Sequence, residues 1–312
     1  MGPIYCLSSA FAFGLMAIFA KLSYADGATV GSLLVVRFGL AALVLVAVAL
    51  GTGTLRRLGR RTVVVGLTMG AVGYAAQAGL YLAAVSRVPA SQVALAYSVY
   101  PVLVMLAALL IGRERASRRR LAALVTASAG IALVLGGAAA GAFDPFGAGL
   151  ALGAAGVYTC YILIGDRVVG DAPPLPLTAM VCTGAFLTWT LVGVLRGDLA
   201  LGRIGVQGWG GLTALALVST VAAILLFFAG LAHVGPTVAS LLSIVEPVVT
   251  VVAAAVVFGE QLTAAQVLGG ALVLAAVVLV QWQGQTQPVV LRKLRFTAPA
   301  SSDITAATAA GR

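Results

Sequence analysis

The chain has 312 residues, 61% of them hydrophobic and only 9% charged, with a mean hydropathy of +1.10. That composition excludes a soluble globular enzyme and a charged disordered regulator, and it makes embedding in a lipid bilayer close to forced. A formal charge of +10 raises nucleic acid as a partner, but the excess is dispersed over short loops and a tail, so no nucleic-acid surface is expected.

Ten apolar stretches of spanning length are predicted, at about 3–21, 28–50, 63–84, 90–111, 118–136, 147–166, 176–195, 209–232, 236–257 and 264–282, each near the ~20 residues a helix needs to cross a bilayer. The first lacks a basic leader and a small-residue cleavage site, so it reads as a helix and not a signal peptide. Arg37 stands near the middle of the second. It cannot be neutral, so it either pairs with an acid or with helix-end carbonyls, or it attracts an anionic solute. The third stretch places Tyr74, Gln77 and Tyr81 at i, i+3, i+7. The fourth holds Tyr97 and Tyr100 one turn apart, followed by Pro101, which frees the Tyr97 carbonyl. Tyr158 and Tyr161 sit one turn apart in the sixth, where they either pack against a neighbouring helix or close the other side of a cavity. Hydroxyls, an amide and aromatic faces at one depth predict a cavity for a small amphipathic solute.

The ninth stretch, Ser240-Leu-Leu-Ser-Ile-Val-Glu-Pro-Val-Val-Thr250, sets a carboxylate and a proline inside an apolar helix. Ser240, Ser243, Pro247 and Thr250 share one face, with Glu246 one position round, so a polar stripe is expected to line the same cavity. An acid at hydrocarbon depth is costly, and burial disfavours its charged form. Glu246 is therefore either a proton carrier or a structural acid bonded to a neighbouring helix. Pro247 would free the Ser243 carbonyl, as Pro101 frees that of Tyr97, making the fourth and ninth helices the expected gating elements. Glu114 and Glu260 follow those two helices and read as helix-end or gate residues. Residues 283–312, Thr/Ala/Ser-rich after Arg292, Lys293 and Arg295, are expected to be a disordered tail.

Cys6, Cys160 and Cys182 lie in apolar runs without CxxC spacing, and His233 is the only histidine. Neither a metal site nor a cofactor is expected, and no Walker motif points to ATP. With a cytoplasmic N-terminus, fourteen basic residues fall in inner loops and the tail, and four (Lys21, Arg87, Arg196, Arg203) fall outside. The positive-inside rule then predicts both termini in the cytoplasm.

Sliding the chain on itself by 146 residues aligns the halves without a gap: Pro101 falls on Pro247, Glu114 on Glu260 and Lys21 on Arg167. Five spans per half is an odd number, so the halves, 1–137 and 146–282, would enter the membrane in opposite orientations as an inverted repeat. Glu246-Pro247-Val248 followed by Gly259-Glu260 resembles the second-repeat signature of ten-helix EamA-type carriers of the drug/metabolite transporter superfamily. Tyr100-Pro101 through Glu114 resembles its first-repeat counterpart, with Arg113 where Gly259 stands in the second, and Arg37-Phe38 matches the Arg-Phe of the second helix. The resemblance implies an all-α secondary carrier of the inner membrane and favours export.

The expected function is thus movement of a small polar or amphipathic, amino-acid-like or drug-like solute by alternating access, coupled to protons through Glu246 or not coupled. Lipid flipping is the alternative within transport, and an intramembrane enzyme or scaffold the alternative outside it. The lone histidine and the single mid-span acid leave the enzyme class without a catalytic constellation. Partners are the solute and the bilayer, with the chain a monomer or homodimer. Reporter fusions in the 52–62 loop, the 112–118 loop and the C-terminal tail should all give a cytoplasmic signal; a periplasmic tail would overturn both the span count and the inverted repeat.

Overall fold

A chain this apolar has to hydrogen-bond its own backbone, because lipid offers no partners, and helix is the element that does so within one segment. The computed structural model describes residues 1–111, 118–138, 144–168 and 172–281, and among these every regular element is helical. Glu114, the other residues of the 112–117 loop and the tail from 283 lie outside the described residues.

The first crossing is made by α1 (Gly2–Gly14) and α2 (Met16–Ala25), stepped at Leu15, and α3 (Val30–Gly51) returns. Next, α4 (Arg60–Thr68) and α5 (Ala75–Val85) are joined by a π-helical turn at Met69–Tyr74. A break at Ser98–Val99 separates α6 (Ala90–Tyr97) from α7 (Tyr100–Leu110). Three uninterrupted helices follow: α8 (Arg118–Ala138), α9 (Pro145–Val168) and α10 (Pro174–Arg196). A second π-helical turn, Leu217–Ala222, joins α11 (Val206–Ala216) to α12 (Ala223–Leu242), and a break at Ser243–Ile244 precedes α13 (Val245–Phe258) and α14 (Ala264–Gln281). Seven of the helical segments are long and apolar enough to cross a membrane, and three more (Leu121–Leu135, Val245–Phe258, Ala264–Leu279) are apolar but shorter.

Two details depart from expectation around the ninth stretch. Helix was expected to restart near residue 236, but α12 runs on to Leu242 and the interruption falls at Ser243–Ile244. Pro247 then occupies the first turn of α13, where a missing N–H leaves no bond unmade. Nor is the Ser243 carbonyl freed: it accepts the Glu246 amide at 3.0 Å in a tighter turn.

Lateral packing rests on small residues, as expected where no hydrophobic force drives helices together in lipid. Gly70 in the first π-turn lies against the Val181 backbone of α10, and Gly184 of α10 against the Leu67 backbone of α4; a Cβ at either would overlap main-chain atoms. Gly130 of α8 and Gly269 of α14 press on each other's carbonyls in the same way. The fully buried Leu33, Leu34, Phe38, Leu45 and Leu82 fill the core between these seams. Gly70→Ala and Gly184→Ala should each lower the unfolding temperature of detergent-purified protein, at a cost of about 1–3 kcal/mol from overpacking. Gly210→Ala in α11, where an added Cβ meets nothing within 4 Å, should not.

Candidate functional site

Both helix breaks and the first π-turn meet one cavity of about 640 Å³, within the range that accommodates a small ligand. Its wall takes Tyr74, Gln77 and Tyr81 from the first π-turn and α5, and Tyr97, Tyr100 and Pro101 from both sides of the Ser98–Val99 break. Tyr158 and Tyr161 come from α9, and Ser243, Glu246, Pro247 and Thr250 from the second break and α13. Every residue singled out in the sequence as solute-binding or kinking lines this space; the side chain of Ser240 lies outside what the structure describes.

Six of the eight tyrosines in the chain form a continuous aromatic wall. Tyr81 meets Tyr97 edge-on at 5.1 Å between ring centres, Tyr97 lies 5.4 Å from Tyr100, and Tyr100 meets Tyr158 at 4.9 Å. Tyr158 stacks on Tyr161 at 6.0 Å, and Tyr161 reaches Tyr74 at 5.9 Å. Such spacings are those of attractive aromatic pairs. Gln77 Nε2 donates to Tyr97 Oη at 3.1 Å, which fixes both side chains.

Arg37 is the correction that matters most. The expected lining omitted its helix, but the cavity includes it, and among the described residues no carboxylate lies within ion-pair distance of it. Only 2% of the residue is exposed. Its Nε donates to Thr220 Oγ1 at 3.0 Å and its guanidinium lies 5.1 Å from the Phe38 ring centre. Thr220 belongs to the second π-turn and in turn donates to the Leu215 carbonyl. The sequence carried one signal for Thr220 that went unused: the 146-residue shift sets it on Tyr74, already a cavity residue.

Glu246 is half-buried, and among the described residues no side chain or amide donates to its carboxylate. Arg37 and Glu246 thus enter one cavity from α3 and α13, with Tyr74 and Tyr81 lining the same space. Thr250 is less available than expected, since its hydroxyl donates to the Gly14 carbonyl at 2.7 Å, at the step between α1 and α2. Phe13, Met16, Ile224 and Phe227 complete the apolar side of the wall.

Polar contacts between helices are unevenly distributed. At the end of the bundle where α2, α5 and α13 terminate, Tyr24 Oη donates to the Leu82 carbonyl, Thr29 Oγ1 to the Asp198 carbonyl and the Gly208 amide to Asp26. Arg87 pairs there with Asp144 at 2.7 Å, and Lys21 with Glu260 at 2.9 Å. Hydrogen bonds from the Gly147 amide and Arg87 hold the Asp144 carboxyl below its usual range. At the opposite end no such cross-helix polar contact occurs among the described residues, and the cavity wall extends to Leu177 and Thr178 in the first turns of α10.

The sequence profile of the EamA-like transporter family matches residues 1–136 and again 145–282. The chain belongs to the EamA-like transporter family. It is therefore a multi-pass membrane protein and a transporter of the drug/metabolite transporter superfamily, with a small-molecule cargo. No curated protein matches it. A solved crystal structure described only as that of a protein has the same fold, with a TM-score of 0.63 and 18% identity, covering 91% of this chain and 97% of that one.

Both EamA-like matches contain a break followed by a proline in the first turn of the next helix, at Pro101 and Pro247. Pro101→Ala and Pro247→Ala each restore a backbone donor and favour an unbroken helix. Each should slow transport more than it lowers expression or unfolding temperature; equal transport by Pro247→Ala membranes would mean the proline serves packing alone.

Proposed function

We propose that this transporter is a ten-span secondary carrier, built from inverted repeats over 1–137 and 146–282 with both termini and the 283–312 tail on the cytoplasmic side of the inner membrane. It moves a small amphipathic, amino-acid-like solute by alternating access, with export as its direction. The observation that carries this reading is the presence of Arg37 and Glu246 in one aromatic cavity without a protein partner of opposite charge for either among the described residues. Unpaired charges at hydrocarbon depth are expensive and persist where function needs them. A solute bearing a carboxylate and an ammonium would satisfy both, with its apolar body on the tyrosine faces, which also attract cations.

In the empty carrier no cation among the described residues pairs with Glu246, so a proton is its natural alternative partner. Exchange of proton for solute ammonium at this residue would couple transport to the proton gradient. Recurrence of the π-turn and the break some 146 residues apart, seen at Met69–Tyr74 with Leu217–Ala222 and at Ser98–Val99 with Ser243–Ile244, supports the two-repeat layout.

Purified protein should be stabilised against thermal unfolding by a zwitterion such as phenylalanine more than by phenethylamine or phenylpropionate, since only a ligand that prefers the folded state raises the midpoint. Arg37→Gln should abolish the advantage conferred by the carboxylate, and Glu246→Gln that conferred by the amine, each weakening zwitterion binding by roughly tenfold or more. In proteoliposomes Glu246→Gln should lose concentrative transport of the bound solute but keep counterflow, which needs no net proton movement. Wild-type behaviour of Glu246→Gln in both assays would remove proton coupling from this residue, and indifference of the protein to all three ligands would remove the zwitterion reading.

A further inference from the structure

Glu260 lies beyond the cavity, but its carboxylate gathers donors from two separate parts of the chain. Lys21 Nζ of α2 approaches Oε1 at 2.9 Å, and the Ala90 amide donates to the same oxygen at 3.0 Å. Oε2 accepts the Ser91 amide at 3.1 Å and the Ser91 hydroxyl at 2.6 Å. These partners lie 169 to 239 residues away in sequence. Helix α6 has no side-chain cap of its own, so a carboxylate from the far half of the chain supplies the acceptor that its first amides require and sits where the helix dipole favours negative charge. Gly259, in the left-handed region at φ 65°, ends α13 and turns the chain so that Glu260 reaches back. Burial pushes the Glu260 carboxyl up, but the bonds from Lys21, Ser91 and the two amides outweigh it and hold the group below its usual range.

The position of this network gives it a meaning. Ala94 lines the cavity and Ser91 lies one turn beyond it on α6; Met16 lines the cavity and Lys21 follows on α2; Thr250 lines the cavity and Glu260 follows on α13. All three helices therefore leave the cavity in the same direction and are tied together just past its end. Between cavity and tie along α2 and α6, Ala17, Ala20 and Val93 are fully buried and form an apolar layer.

We propose that Lys21, Glu260 and the Ala90–Ser91 start of α6 form the gate that closes one face of the carrier, and that they part when the cavity turns to that face. The proposal rests on the carrier reading but not on the identity of the solute. Phe258, whose ring centre lies 5.4 Å from Lys21 Nζ, packs beside the charge pair and completes the seal.

The test uses accessibility and requires no solute. In full-length protein with Cys6, Cys160 and Cys182 replaced by Ala, Ala94→Cys reports on the cavity, and a membrane-impermeant thiol reagent is applied to right-side-out and inside-out vesicles separately. With the gate intact, labelling should proceed from one vesicle orientation only. Glu260→Ala should raise labelling from the other orientation about tenfold or more, as expected for loss of charge-assisted hydrogen bonds, and Lys21→Met, which leaves the α6 cap in place, should raise it by a smaller factor. Should Glu260→Ala fail to fold, Lys21→Met alone decides. Folded variants that keep the wild-type labelling rate from both sides would overturn the gate and leave Glu260 a helix cap, with the transporter assignment untouched.

Discussion

A polar group at bilayer depth has to find its partner inside the bundle or in water that the bundle holds, and this condition decides where the chain can interrupt its helices. The two breaks and the end of the first π-turn border the cavity. Away from it helices meet at glycines, Gly184 against the Leu67 backbone and Gly130 against Gly269. The seams are tight because the backbone there is fully used. At the cavity the backbone is bonded through turns instead, as where the Ser243 carbonyl accepts the Glu246 amide. Site and scaffold are thus two responses to the same constraint, and the placement of Tyr74 at the end of one π-turn and Thr220 within the other follows from it.

Arg37 shows how far this logic extends. A buried guanidinium with a single hydroxyl and an aromatic face for company is poorly compensated by the standards of a folded core, where charge is normally paired. Glu246, across the same space, is compensated even less. Were the two meant to stabilise the fold, the simplest arrangement would bring them into contact. They are kept apart, with tyrosines lining the space they share, which fits a site whose energy is released only when a solute of complementary charge arrives. Binding then recovers what folding left unsatisfied, the same economy by which preorganised polar sites discriminate between ligands.

Much of this was legible in the sequence because membrane composition makes spans easy to read and rare polar residues easy to find. Tyr74, Gln77 and Tyr81 declared a helix face by their spacing, and Glu246-Pro247 declared a break. What could not be read depends on contacts between distant segments. Whether Arg37 joins an acid or the cavity is decided by how α3 meets the second π-turn, and a π-turn has no compositional mark. The run of α12 through to Leu242 was hidden because apolarity alone divided the chain near residue 236, while Pro247 sits comfortably in the turn after the true break. Lys21, Ala90, Ser91 and Glu260 are ordinary loop-end residues in sequence. Only their meeting makes them informative, and Glu260 was placed at a gate without its partners.

The distribution of polar contacts carries one more step. In the proposed cycle the end pinned by Lys21–Glu260, Tyr24–Leu82 and Thr29–Asp198 has to open, and an equilibrium between two faces tolerates only a few kcal/mol of bias before one state empties, at about 1.4 kcal/mol per factor of ten. An apolar plug of the same extent would have to expose its whole area to water on opening, at roughly 25 cal/mol per Å². Charged and hydrogen-bonding groups behave differently: as they separate, each regains hydration, so the net strength of a partly solvated pair is modest. Lys21 is already about a quarter exposed in the closed arrangement. A polar tie over a thin apolar layer is therefore specific enough to register three helices and weak enough to be undone, which an alternating carrier requires of whichever face it has shut.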